Sequence, residues 1–252
     1  MGIGPRVRCA EPMRSHMKTV LKHMVKSAGY RVVPVTEGFA HQRSQAMKDR
    51  QIDLVIDVGA NMGQYGSGLR KSGYEGSIWS FEPLSQAYRK LQSVAERDRG
   101  WTTCRTAVGE ASGKLSINIA GNSQSSSLFP MMKAHEDAAP GSQYVGTELV
   151  DVVPLDDLWG KQLPRSAHAM LKLDTQGYEA FVIRGARSVV AEIQLIECEM
   201  SFVPLYEGQI LFHEMYLLIT ELGFRPIGLE PALFDKSTNH FLQVDGLFAR
   251  QM

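Results

Sequence analysis

Cysteine is scarce in this chain: three in 252 residues, Cys9, Cys104 and Cys198, odd in number and far apart. No CxxC pair and no Cys/His spacing suited to zinc occurs, which excludes a metal-built module and a disulfide scaffold and fits a reduced, cytosolic protein. Long apolar runs are also missing. No stretch approaches the roughly 18 residues that a membrane-spanning helix needs, and the N-terminus lacks the apolar centre of a signal peptide. The expectation is a cytoplasmic chain, neither secreted nor integral to a membrane.

Net charge is absent as well, with 27 Lys and Arg against 27 Asp and Glu, but the balance is uneven along the chain. Residues 1–50 hold ten Lys/Arg against Glu11, Glu37 and Asp49, a net +7 that leaves −7 for the remainder. Within this basic arm Met17, Val20, Leu21, Met24 and Val25 recur at helical spacing while Lys18, Lys22 and Lys26 share another face. That pattern reads as a packing helix with a solvated lysine face or, alternatively, as a peripheral contact with anionic lipid at the inner membrane surface. Nucleic acid is not an expected partner, because the arm has few aromatics and the rest of the chain is acidic. Residues 1–13 show no periodicity. The division read from this is an N-terminal basic helical extension over 1–50 and one α/β domain over 51–252, whose 44% hydrophobic composition suffices for a full core.

The domain's chemistry begins at Leu54-Val-Ile-Asp-Val-Gly-Ala-Asn-Met-Gly63, an apolar strand that breaks into a glycine turn. A second strand, Ser77 to Phe81, ends in Glu82, where doubly wound folds place an acid to accept hydrogen bonds from ribose hydroxyls. Dinucleotide sites use Gly-x-Gly-x-x-Gly so that helix amides meet a pyrophosphate. Here the pattern is Asp57-x-Gly59-x-Asn61-x-Gly63, with asparagine at the second glycine's place. S-adenosylmethionine carries an amino acid and a sulfonium instead of phosphates, and suits Asp57 and loop carbonyls better. A nicotinamide or nucleotide-sugar enzyme on the same fold would need a phosphate site, and none is visible. A catalytically silent, membrane-associated binding protein is the other alternative.

Further along, strand and helix patterns alternate: a helix over Leu84–Arg97, a third strand over Thr102–Val108 whose exit at Ala107 and Val108 faces the adenine position, and an antiparallel strand over Lys114–Ile119. Residues 121–148, rich in Ser, Gly, Asn and Gln, read as a solvated connection or a lid, with His135 as a base or substrate contact. Ala169–Asp174 is the fourth main strand, with Lys172 and Asp174 on one face. A helix over Ala180–Val190 follows, capped by Asp174 or Thr175. Ile193–Met200 carries Glu197 and Glu199 on one face, and pairing with the fourth strand brings Glu197 toward Asp174. A helix over Leu211–Leu222 ends at Gly223, and Phe224–Leu229 with Phe241–Ala249 forms a closing edge hairpin joined through Pro231 and Ser237-Thr-Asn239.

Asp57-Val-Gly-Ala-Asn-Met-Gly63, Phe81-Glu-Pro83, Ala107-Val-Gly109, Ser125-Ser-Ser-Leu128, Val153-Pro-Leu-Asp-Asp157 and Lys172-Leu-Asp-Thr-Gln-Gly-Tyr-Glu179 together resemble the FkbM-type methyltransferase family from about residue 50 onward. The resemblance implies a Rossmann-like class I methyltransferase fold with a doubly wound seven-stranded sheet, S-adenosylmethionine as cofactor, and O-methylation of hydroxyls on sugars, glycolipids or polyketides. It implies that Asp57, Gly59, Asn61 and Gly63 hold the methionine end, Glu82 the ribose, and Ala107 and Val108 the adenine, with Asp174 near the reacting methyl. Thr175-Gln176 departs from the family, where an apolar residue and Glu are common. A base should help deprotonate the acceptor, with Asp174, Glu197 and His135 as candidates in that order. A divalent cation on Asp174 and Glu197 is the alternative, ion pairing with Lys172 being the plainer reading. The sequence assigns no oligomeric state.

Overall fold

The computed structural model describes residues 24–27 and 38–251. Residues 24–27 are helical; the rest of the expected Met17–Lys26 helix, and the unpatterned residues 1–13, lie outside the described residues. The chain divides into two compact units, one ending at Gln42 and the other running from Arg43 to the C-terminus. Helix α1 (Phe39–Asp49) crosses that boundary, so Arg43 to Arg50, which the charge count groups with the extension, fall in the second unit.

Two five-residue strands, β1 (Leu54–Val58) and β7 (Ala169–Leu173), are buried along their whole length. Largely apolar runs buried on both faces belong in the middle of a parallel sheet, and each of these carries one buried charge, Asp57 and Lys172. They lie side by side at the centre of a seven-stranded sheet of order β3-β2-β1-β7-β8-β10-β9, with β2 (Ser77–Phe81), β3 (Trp101–Cys104), β8 (Ile193–Ser201), β9 (Phe224–Asp235) and β10 (His240–Arg250). Strands β3, β2, β1, β7 and β8 are parallel, and β10 pairs antiparallel with both β8 and the edge strand β9. This is the α/β class I methyltransferase sheet. Helices α2 (Gln64–Lys71) and α3 (Ser85–Ala95) connect its first three strands. The chain runs outward from β1 to β3 and returns on the other side at β7, which makes the β1/β7 boundary the topological switch point where such sheets open a ligand crevice.

Several sequence expectations need correction. The third strand does not run from Thr102 to Val108. It leaves the sheet after Cys104, and Ala107–Val108 forms β4, which pairs with β6 (Tyr144–Val153) in a separate sheet of order β4-β6-β5 with β5 (Gly113–Ala120). Thr106 Oγ1 donates to the carbonyl of Asp151, which draws the chain to the second sheet. Residues 121–148 are not a solvated connection throughout: Lys133–Ala138 forms α4, Ser125, Ser127, His135 and Ser142 are buried, and β6 begins at Tyr144.

The single helix expected over Ala180–Val190 is two, α6 (Glu179–Arg184) and α7 (Arg187–Glu192), after the short α5 (Leu155–Leu158). The break falls at Gly185, whose backbone approaches Gly109 so closely that a Cβ would stand 1.9 Å from the Gly109 carbonyl oxygen. Neither Asp174 nor Thr175 caps α6; Tyr178 is its N-cap residue, and Glu179 Oε1 accepts instead from the amides of Thr175 and Gly177. Helix α8 (Phe212–Glu221) is followed by Gly223 at φ +88°, the left-handed turn expected there. Ser237 to Asn239 lie in the turn that joins β9 to β10, as expected, but Pro231 lies inside β9, opposite Val244, where an edge strand tolerates a residue without an amide hydrogen.

Candidate functional site

A cleft of about 480 Å³ opens at the carboxyl ends of the parallel strands, lined by Gly59 to Asn61 after β1, Glu82 to Leu84 after β2, Ala107 and Val108, and Asp174 to Gln176 after β7. Its two walls meet at Gly59. This residue has φ +83°, and a Cβ on it would sit 1.8 Å from the carbonyl oxygen of Asp174, so the backbones after β1 and β7 touch only because the side chain is hydrogen. Asn61, in the second glycine's place, is also left-handed at φ 48°, a conformation asparagine adopts more readily than most residues.

Glu82 is fixed by two backbone donors, Asn61 N at 2.9 Å and Leu84 N at 2.8 Å, and thus ties the β1 turn to the β2 exit. Burial pushes its carboxyl up to about 7, although both amide hydrogen bonds oppose this. An acid with two oxygens aimed by the backbone, at the mouth of β2, can accept from a vicinal diol.

On the β7 side the register sorts charges into two rows. In the deeper row Asp57, Lys172 and Glu197 are direct neighbours across β1, β7 and β8. Lys172 Nζ lies 3.8 Å from Asp57 Oδ1 and 2.9 Å from Asp174 Oδ2. Burial works against its ammonium, yet Asp174 and Asp57 outweigh that and hold its pKa above the ordinary value. Glu197 accepts from Arg43 at 2.8 Å and from the Tyr65 hydroxyl at 2.9 Å, so both its oxygens are engaged. The outer row, two residues further along, is Glu199, Asp245 and Glu230, directly opposite one another on β8, β10 and β9. All three line the cleft, and none has an ion pair among the described residues. Burial together with Asp174 pushes Asp245 up to about 7 and Glu199 well above the carboxylate range.

The site residues expected from sequence therefore divide. Gly59, Asn61, Glu82, Ala107, Val108, Asp174 and Glu197 line the one cleft. Asp57, Gly63 and His135 are not among its lining residues. Asp57 is fully buried; Ser80 Oγ donates to its Oδ2 and Trp101 Nε1 donates to Ser80 in turn. Gly63, at φ +86°, begins α2 against Leu91 and Trp101. His135 is buried, with Nε2 2.9 Å from Ser125 Oγ and its ring 5.1 Å from that of Tyr206. Among the described residues no group of three or more His, Cys, Asp or Glu is arranged to hold a metal ion. Sequence reasoning missed Arg43, Tyr65, Asp245 and Glu230, and treated Gln176 and Glu199 only as a family departure and a same-face neighbour.

The profile of the methyltransferase FkbM domain matches residues 57–226. The chain belongs to the FkbM methyltransferase family. It is 22% identical over 184 residues, 70% of this chain and 75% of the relative, to the 2-O-methyltransferase NoeI of Sinorhizobium fredii (strain NBRC 101917 / NGR234). Among solved structures it resembles an rRNA methylase from Streptococcus thermophilus (TM-score 0.45, 10% identity, 87% of this chain and 100% of that one). It also resembles the magnesium protoporphyrin IX methyltransferase of Synechocystis PCC 6803 with bound S-adenosylmethionine (TM-score 0.44, 10% identity, 93% and 97%). At this level of overlap neither says anything of the substrate. This FkbM methyltransferase is dependent on S-adenosylmethionine, and its cleft fits that cofactor. It offers an acid for hydroxyls at Glu82, an apolar wall at Ala107, Val108, Ile117 and Leu128, and carboxylates for a positive charge. Among the described residues its cationic lining residues are Arg43 and Lys172, and each is ion-paired and so already engaged rather than free for a phosphate.

Proposed function

We propose that this methyltransferase methylates a hydroxyl oxygen of a sugar, a glycolipid or a polyketide-type natural product. In this reading Glu82 takes the ribose hydroxyls, Ala107 and Val108 flank the adenine, and Gly59 and Asn61 surround the methionine end, with Asp57 supporting that loop from behind. Asp174, across the switch point, borders the reacting end. When bound, S-adenosylmethionine supplies a methyl already activated by its positively charged sulfur. What remains for the protein is to orient the acceptor, exclude water and remove a proton.

The observation that carries the reading is the carboxylate row Glu199, Asp245 and Glu230, which faces the cleft without ion-pair partners among the described residues, on the far side of Asp174 from Glu82. Carboxylates accept hydrogen bonds from hydroxyls and repel phosphate, which suits a polyhydroxylated acceptor better than a nucleic acid. The distant likeness to a 2-O-methyltransferase supports oxygen as the nucleophile. A peripheral membrane contact through Met17–Lys26 belongs to the same proposal, and vesicle flotation with and without anionic lipid tests it. No helix among the described residues is long and apolar enough to cross a membrane. The main test is incubation with labelled S-adenosylmethionine and a hydroxylated glycolipid extract, followed by mass spectrometry. One added methyl on a sugar fragment is the expected product, and methylation confined to nitrogen or carbon refutes the reading.

A further inference from the structure

Asp174, Glu197 and His135 were the candidates for taking the acceptor's proton, and hydrogen bonds engage both oxygens of each of the two carboxylates. Glu197 spends one oxygen on Arg43 and the other on Tyr65. Asp174 receives Lys172 on Oδ2 at 2.9 Å and the amide of Gln176 on Oδ1 at 2.8 Å, so both its oxygens are occupied. His135 does not line the cleft.

Glu199 differs from all of these. It lies next to Asp174 across the β7/β8 boundary, its Oε2 accepts from Gln176 Nε2 at 2.8 Å, and its Oε1 accepts no hydrogen bond from the described residues. Gln176 is itself locked. Its Oε1 accepts from the Tyr206 hydroxyl at 2.7 Å and its backbone carbonyl accepts from Ser127 Oγ at 2.6 Å. Its backbone is left-handed at φ 57°, a conformation that a non-glycine residue holds only where its surroundings fix it. With Tyr206 donating to the amide oxygen, the two hydrogens of the amide nitrogen point one to Asp174 and one to Glu199. Reversing the amide would set its oxygen against two carboxylates.

We infer that Glu199 is the catalytic proton acceptor of this enzyme and that Gln176 is the positioning residue that aims it, using one amide nitrogen to hold Asp174 and Glu199 apart at fixed distance. The inference rests on the hydroxyl-methylating reading above. The acceptor oxygen forms a bond to the methyl carbon, the carbon–sulfur pair stays on sulfur as a neutral thioether, and the hydroxyl proton passes to Glu199 Oε1, so a sulfonium and a carboxylate are consumed together. The charges around Glu199 suit it to this task. Burial raises its proton affinity most, Asp174 and Glu179 from the β7–α6 segment and Asp245 from β10 raise it further, and Lys172 opposes them. Asp245, also with raised affinity, has no side-chain hydrogen bond among the described residues to aim it, and Glu230 lies one strand further out.

The test uses the full-length enzyme, labelled S-adenosylmethionine, and a set of methyl glycosides as hydroxyl-bearing probes. Glu199→Gln should bind S-adenosylmethionine within about twofold of the wild type by calorimetry and transfer methyl about 10²–10⁴-fold more slowly, the range a general base contributes. It should also lose a protonated-carboxyl infrared band that in the wild type titrates above the ordinary glutamate range. Gln176→Met, which removes both amide donors at similar size, should keep cofactor binding and move the acidic limb of kcat to higher pH, which a merely structural role would not do. Wild-type kcat in Glu199→Gln, or an unchanged infrared carboxyl band, overturns the inference. If the wild type methylates none of the glycosides the sugar reading fails instead, while the infrared comparison, which needs no acceptor, still decides whether Glu199 is the group that holds a proton.

Discussion

Glu82 has two tasks with opposite demands, and their pH dependence separates them. Its folded-state pKa of about 7 stands above the ordinary 4.5, chiefly through burial, so folding favours the protonated form. A carboxyl raised in the folded state contributes stability that is complete below the unfolded pKa and lost as pH rises through the folded one. For these two values the loss between pH 6 and pH 8 is about 1.3 kcal/mol. The hydrogen bonds proposed for the ribose need the ionised acid, whose fraction rises about tenfold over the same interval. Stability of the free enzyme should therefore fall, and cofactor affinity rise, as pH goes from 6 to 8. Other groups titrate in this range, Asp245 among them, so the quantity to measure is a difference. Urea unfolding and calorimetric titration with S-adenosylmethionine at both pH values, on the wild type and Glu82→Gln, isolate one carboxyl. The variant should lack about 1.3 kcal/mol of the stability change and the tenfold affinity change, and should bind more weakly throughout. Identical pH slopes in the two proteins would refute the reasoning, because they would mean that Glu82 is ionised, or protonated, across the whole interval.

Gly59→Ala meets both a left-handed backbone and the Asp174 carbonyl, at about 1–2 kcal/mol for the first and about 1–3 for the second, so urea unfolding should show a large loss accompanied by loss of cofactor binding. A change under about 0.5 kcal/mol, typical of a neutral surface site, would contradict the close approach of the two loops. Asp156 accepts from the amides of Ser188 and Val189 at the start of α7, and Asp156→Ala should cost about 0.5–2 kcal/mol with cofactor affinity unchanged in the same titration. Glu197→Gln strands a largely buried Arg43 and should cost about 3–5 kcal/mol; adding Arg43→Met should recover part of that, and strictly additive losses in the double-mutant cycle would show that the pair does not interact.

Most of the fold was legible because its strands announce themselves locally. The runs Leu54–Val58, Ser77–Phe81 and Ala169–Asp174 are short, largely apolar and bounded by turn residues; the first two are strands with the expected bounds, and the third ends one residue earlier, at Leu173. The helix break at Gly185 and the departure of Ala107–Val108 to a second sheet were not legible, since both depend on a tertiary contact, Gly185 against Gly109 and Thr106 against Asp151. The same distinction applies to the cleft. Gly59, Asn61 and Glu82 stand out through backbone demands written into a few consecutive residues. Arg43, Asp245 and Glu230 come from a helix before the domain's first strand and from an edge hairpin, and only the pairing register of β10 with β8 and β9 brings Asp245 opposite Glu199 and Glu230 opposite Asp245. His135 and Asp57 were read as ligand-facing from chemistry alone, and chemistry does not tell which side of a packed layer a side chain occupies.

The two charge rows bear on why the carboxyl edge of this sheet is built as it is. Both lie on the same face, and on β8 they are two residues apart, so no general demand of the fold distinguishes them. In the deeper row Asp57, Lys172 and Glu197 alternate in sign, and every charge has a partner within the protein. In the outer row Glu199, Asp245 and Glu230 stand directly opposite one another with like sign, an arrangement that weakens a sheet. An edge hairpin is free to place Thr or Gln at those positions with no loss of packing, and Gln243, two residues before Asp245, is such a residue, donating to Ser201. The like-charged row is therefore a cost to folding that nothing in the folding accounts for. It is offset only when something enters the cleft that a line of hydrogen-bond acceptors can hold, and the elevated proton affinities of Glu199 and Asp245 are the same mismatch expressed as chemistry.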